Sequence, residues 1–317
     1  MTKTFGKVDK VLSTTTGGNI SVAAEGGSTR VEVFVRQNNS RGTNQLSNEE
    51  IKARLDEDYE LSVYTNGNTL TTTAKPKHQI RDWKRSLSIS FKIYVAKDAA
   101  LDLSTSGGNI HLSGLSGEKN FRTSGGNLVL NELSGKSKGS TSGGNIIVKN
   151  SKDKLDLSTS GGNIQADNSS GDIQMSTSGG NIQVENLKGA VKVSTSGGNI
   201  KCESVEGELV ASTSGGNVSM QDLDCSLKTS TSGGNIDVSM KGVGKYVSIT
   251  NSSGRVRLQI PKESSVDLQL KASKIDTGNM EHFKGNISKD EVEGSLNGGG
   301  VLVKINASSG NIDLGFN

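Results

Sequence analysis

The sequence predicts an all-β protein: a single-stranded, right-handed β-helix of 18-residue coils, with one short helix in its N-terminal region. Three observations carry that prediction. The motif Ser-Thr-Ser-Gly-Gly-Asn-Ile recurs with its asparagines at Asn109, Asn127, Asn145, Asn163, Asn181, Asn199, Asn217 and Asn235, a spacing of 18 residues without a slip. A fixed period of this size marks a solenoid, in which each repeat contacts only its neighbours. Around each motif, apolar and polar residues alternate with the period of half-buried strands. The composition is the third observation: 41 glycines, 3% aromatics and only two prolines in 317 residues. Proline removes a ladder donor, so its scarcity suits a chain made of ladders. Gly, Ser and Asn in this abundance also occur in disordered chains, but here the apolar residues are β-branched and regularly placed.

With Asn181 as position 1, one coil reads from Asn181 to Gly198, and its two halves share the pattern glycine, then x-apolar-x-apolar. Each coil is therefore expected to be two strands joined by two turns. Position 2 (Ile110, Leu128, Ile146, Ile164, Ile182, Ile200, Val218, Ile236) and position 4 (Leu112 to Val238) form the clearest core columns. Stacking brings equal positions to about 4.8 Å. Position 13 is looser, and the second coil carries Ser137 and Gly139 where apolar residues are expected, which predicts a bulge or poor packing there. The glycine pairs suit corners that need positive φ or close backbone approach. The asparagines are expected to stack as an amide ladder. Thr195 shares parity with Val191 and Val193, so the threonine column points inward and Ser194 and Ser196 face solvent. Gly107, Gly108 and the eight asparagines are thus read as structural turn and ladder residues, with no catalytic, cofactor or metal role.

The same grammar persists in weaker form at both ends. Thr15 to Val22 reads as an early coil followed by a strand at Val31–Val35, and Ser308 to Leu314 as a closing turn and strand. Ser47 with Glu50 three residues on makes a capping box, and Ile51 and Leu55 share a face, predicting a short helix near 47–58 that acts as a lid. Strands at Tyr59–Tyr64 and Thr69–Ala74 flank Asn66-Gly67-Asn68, a hairpin signal. Residues 75–86 read as a charged loop containing Trp83, and Leu87–Val95 returns as a strand. The organisation expected is one continuous solenoid in three segments: irregular coils over 1–100, regular repeats over 101–250, and irregular coils with a cap over 251–317. Terminal repeats must differ from the rest, because a bare solenoid end invites edge pairing.

Three stretches of the chain resemble the bacterial "putative adhesin" family, β-strand-repeat domains of unknown function related to autotransporter-adhesin head domains. They are Leu61 to Asn109, including Tyr94-Val95-Ala96-Lys97-Asp98; the 18-residue array; and Ile260-Pro261-Lys262-Glu263-Ser264-Ser265-Val266-Asp267-Leu268 with Val292 to Gly300. Ala96 stands where the family usually shows proline, while Pro261 keeps it later. The resemblance implies a single-stranded β-helix, a signal-directed envelope or surface location, and no established catalytic residues.

Other functions fit the residues less well. The charge of +3 arises from 36 basic and 33 acidic residues spread along the chain, with no basic stripe interleaved with aromatics, so nucleic acid is not the expected partner. No run of 18 apolar residues occurs, so no membrane span is expected. Met1 to Gly6 has no apolar h-region, so either the protein is intracellular or a leader has been removed; with an envelope location, a removed leader is the expectation. Calcium β-rolls need an aspartate at each turn, whereas here asparagine holds that place and aspartate (Asp153, Asp172) is sporadic. The glycine turns lack the lysine and helix of a phosphate loop. A carbohydrate-active enzyme needs clustered carboxylates. The best candidates, Asp167, Glu185 and Glu203 at position 5, read as a solvated column of like charge, partly offset by Lys149, Lys192 and Lys201. His78, His111 and His282 show no metal-ligand spacing, and Met175, Met220 and Met240 read as core. Ice binding would need the threonine column to face outward. Cys202 at a core position and Cys225 in place of a turn glycine are expected as free thiols. The function expected is a non-enzymatic surface or envelope β-helix, an adhesin or scaffold whose faces bind glycan or protein, without cofactors. The alternative is an envelope-stress sensing module that binds a partner protein. Functional contacts are expected where the repeat varies, at positions 3, 5 and 12, or in the irregular ends.

Overall fold

A computed structural model describes residues 1–38, 46–79 and 85–317. Trp83, in the expected charged loop, lies outside these. The chain forms two compact units, Met1–Thr159 and Ser160–Asn317, both β-solenoids.

In the first unit, two sets of parallel strands stack coil on coil. One joins Lys10–Thr15, Ala100–Thr105, Lys119–Thr123, Lys136–Thr141 and Lys152–Thr159. The other joins Ile20–Ala24, Ile110–Ser113, Leu128–Asn131 and Ile146–Lys149. From the second coil on, register follows the repeat: Leu103 faces Phe121, and Leu128 faces Ile146. Columns such as Ile110, Leu128 and Ile146 are wholly buried between the sets. Ser137 and Gly139 do not cause the expected bulge, since the ladder runs unbroken through them. A Cβ at Gly139 would overlap the Phe121 ring, so the missing side chain is space that Phe121 fills.

The second unit carries the repeat as long bent strands, Ile164–Thr177, Ile182–Ser194, Ile200–Ser212 and Val218–Thr231, in register at 18 residues. They bend at position 6, where Asn168, Asn186, Ser204 and Asp222 all have φ between 50° and 55°. Asn and Asp tolerate this left-handed region better than other non-glycine residues. The bend has a consequence that simple alternation does not predict. It shifts parity so that position 7 points inward, and Leu187, Val205 and Leu223 form a further buried column. The next coil, Ile236–Asn251, is two residues longer, so Leu227 faces Val247, and irregular pairing absorbs the change.

The ends are not stacked in chain order. In the first unit the opening coil (Lys10–Thr15 and Ile20–Ala24) lies inside the stack, with Thr69–Pro76 and Leu87–Val95 on its outer side. Antiparallel partners then close the edge: Tyr59–Asn66 on one sheet, Thr29–Gln37 and Thr2–Phe5 on the other. The helix Asn48–Asp58, with the Ser47–Glu50 capping box formed, packs on Tyr59–Asn66 and Thr29–Gln37. The second unit repeats this arrangement. Its last strand, Val301–Phe316, lies between Ile236–Asn251 with Val256–Ile260 on one side and Val266–Thr277 on the other. Glu291–Leu296 and Phe283–Ile287 then close that edge antiparallel. Each unit thus ends its parallel stack by reversing strand direction, which stops further coils from adding in register.

Candidate functional site

The corner motif is a set of hydrogen-bonded ladders. Within each unit, the side-chain oxygen of one corner asparagine accepts from the backbone N–H of the next: Asn109 Oδ1 from Asn127 at 2.8 Å, Asn181 Oδ1 from Asn199 at 2.8 Å, and Asn217 Oδ1 from Asn235 at 2.8 Å. The bond therefore runs from side chain to backbone instead of between side-chain amides, and it supplies an acceptor to a corner N–H. In the first unit the ladder starts at Asn19, which accepts from Asn109.

The threonines point inward, as parity predicts. Thr195 is buried, its hydroxyl donates to the Gly180 carbonyl at 2.8 Å, and its oxygen accepts from Gly198 N–H at 3.2 Å. The same pair of bonds recurs at Thr105, Thr123, Thr141, Thr177, Thr213 and Thr231. A column so occupied offers no flat threonine array for ice. The two glycines differ in their demands. A Cβ at Gly198 would overlap the Gly180 carbonyl, whereas at Gly197 its nearest neighbour would be the Ser178 oxygen at 3.8 Å. Neither has positive φ, so close backbone approach, at the second glycine alone, requires glycine.

Two interior groups escaped the sequence reading. Lys119 is wholly buried at a position that holds Leu101 in the coil before it, Ser137 in the coil after it and Leu155 in the one beyond. Its ammonium donates to the carbonyls of Gly117 and Ser134, and burial pushes it down to about 8, with Asp153 opposing. Its parity with Leu101 was the available signal. Asp58, buried at the helix end, pairs with His78 at 3.3 Å and Arg85 at 3.2 Å. Cys202 and Cys225 are free and buried; burial raises both thiols, Cys225 to about 12.

The outward positions carry whatever could meet a ligand. Asp167, Glu185 and Glu203 do stand in register as one column, and Lys201 pairs with Glu203 at 3.4 Å. Lys192 stands at position 12, away from that column. Ladder neighbours of opposite sign also zip the surface: Lys136–Glu118 at 2.9 Å, Lys138–Asp156 at 3.7 Å and Lys188–Glu206 at 2.8 Å. Exposed pairs of this kind contribute little stability. Among the described residues, no group of three or more His, Cys, Asp or Glu could hold a metal ion, and no helix is long and apolar enough to cross a membrane.

Among the described residues, shallow grooves indent these surfaces, four of them of 210–330 Å³. Three mix both signs of charge, with Lys262, Glu263 and Glu281 in one, Asp102, Arg122, Lys138 and Asp156 in another, and Lys271, Glu291, Glu293 and Lys304 in the third. The fourth is lined by Phe34, Arg36 and Lys92 with serines and Asn19.

Residues 145–315 match the family model described as Toastrack DUF4097. The chain belongs to that family. Toastrack DUF4097 is a domain of unknown function with a β-helix fold, in keeping with the coils described above. Among solved structures, the chain is similar to a "putative adhesin" from Bacteroides fragilis NCTC 9343, at 21% identity over 79% of this chain and 96% of that one, with a TM-score of 0.38. It is also similar to a "putative cell adhesion protein" from Clostridium sporogenes ATCC 15579, at 10% identity over 100% and 99%, with a TM-score of 0.19. No curated protein matches the chain.

Proposed function

We propose that this Toastrack protein is a non-enzymatic binding surface of the bacterial cell envelope, an adhesin or scaffold that engages glycan or protein through its outward positions and terminal grooves. The observation that supports this reading most is the division of labour within the coil. Asparagine, threonine and the second glycine of the corner are taken up in ladders between coils, while the exposed columns and grooves carry varied polar side chains on a rigid backbone. Rigid β-solenoid faces of this kind suit extended, shallow contacts, where no single deep pocket is needed. A screen of the purified chain against glycan and extracellular-matrix arrays tests it. Saturable retention of at least one glycan or matrix protein, with no change in the ligand's covalent structure, is expected. Turnover of an oligosaccharide, or silence across both arrays, would count against it.

A further inference from the structure

We infer that the groove around Phe34 is a subsite for an acidic sugar, a pyranose ring bearing a carboxylate. The inference rests on the binding-surface reading above and says which chemistry this place would take. Phe34 is 43% exposed, one of few large apolar side chains so placed among the described residues. It projects from the strand Thr29–Gln37 and faces Ser90 across the antiparallel pair, with Arg36 facing Ser88 and Glu32 facing Lys92. The resulting groove, about 250 Å³, continues over Ser21 and Asn19 of the first coil. An exposed phenyl ring beside hydroxyls and amides is what the two sides of a pyranose require: its C–H face stacks on the aromatic ring, and its hydroxyls find hydrogen-bonding groups at the edge.

Charge decides the class of sugar. Of the four grooves this one alone has no carboxylate among its lining residues, and it has two cations, Arg36 and Lys92. Arg36 makes no ion pair among the described residues, so its planar guanidinium is available for a bidentate carboxylate. Lys92 rests over the Tyr94 ring at 5.1 Å, which positions a second positive charge at the rim. The floor is fixed rather than mobile. Ser90 Oγ accepts from Asn19 N–H at 3.0 Å, and Asn19 Oδ1 accepts from Asn109 N–H at 2.8 Å. The Nδ2 group of Asn19 has no protein partner among the described residues and can donate to a sugar hydroxyl.

Isothermal titration of the whole chain with tetragalacturonate, its neutral galactose counterpart, sialyllactose and lactose tests the inference. Binding of tetragalacturonate or sialyllactose is expected, and which of the two binds separates a uronic from a sialic acid source. The neutral partner should bind at least about tenfold more weakly. Phe34→Ala and Arg36→Gln should each weaken binding by about tenfold or more, Phe34→Tyr should retain it, and Arg36→Gln should also flatten its salt dependence. Unchanged thermal melts would show that the variants are folded, as the exposure of both side chains predicts. Equal affinity for acidic and neutral sugars, or undiminished binding by the Phe34→Ala/Arg36→Gln double variant, would overturn the assignment. If neither acidic sugar binds while the array screen returns another ligand, this inference fails and the binding-surface reading stands. Silence in both experiments would overturn both.

Discussion

Burial decides how much each corner residue contributes. Asn181 is exposed, so Asn181→Ala leaves the Asn199 N–H to water and should cost about 0.5–1 kcal/mol in urea unfolding. Thr195→Val leaves a buried carbonyl at Gly180 and a buried N–H at Gly198 without partners, and should cost about 2–4 kcal/mol by the same measurement. Lys119 gives a pH signature. The unfolded chain keeps its proton to about pH 10.5 and the folded chain only to about 8. Between those values the unfolded state binds more protons, so stability rises with pH, and below 8 the penalty is fully present. The gap between Lys119→Met and the parent should therefore narrow by up to about 3 kcal/mol from pH 8 to 10.5, measured by urea melts across that range. The inward threonines were legible from parity alone. Lys119 was equally legible in position, but a lysine among leucines is discounted unless two carbonyls are known to receive it.

At the scale of the element, the strands, the capped helix and the Asn66–Asn68 hairpin follow from local pattern, because alternation, capping and turn chemistry act over a few residues. The order in which the terminal strands stack does not, since it depends on long-range pairing that the local pattern leaves free. That the last strand lies inside the second unit has a testable consequence. Deleting residues 301–317 removes the layer between Val266–Thr277 and Ile236–Asn251, so amides of 266–296 should lose hydrogen-exchange protection by at least about a hundredfold. A strand merely appended to the end would leave them protected. The left-handed bend at position 6 was signalled by Asn168, Asn186 and Asp222, residues that tolerate such backbone, yet the glycine pairs drew attention to the wrong corner for positive φ.

For the molecule as a whole, the repeat explains the fold and leaves function to the residues that vary. Stability in a solenoid is a sum over neighbouring coils, so a residue repeated at every corner is first a contact between coils. Phe34, Arg36 and two of the mixed-charge grooves lie in irregular segments that no period describes, which is why the sequence located them only as a region; the third, around Arg122 and Lys138, lies on the regular coils. The central claim is that the Gly-Gly-Asn motif serves stacking through close backbone approach and leaves the outer surfaces to bind. The most direct measurement is the unfolding free energy of Gly198→Ala beside Gly197→Ala in otherwise identical chains. The contact geometry predicts a loss of about 2 kcal/mol or more for Gly198→Ala, because its Cβ meets the Gly180 carbonyl. For Gly197→Ala it predicts a change within about 1 kcal/mol. Equal losses at the two positions would contradict it.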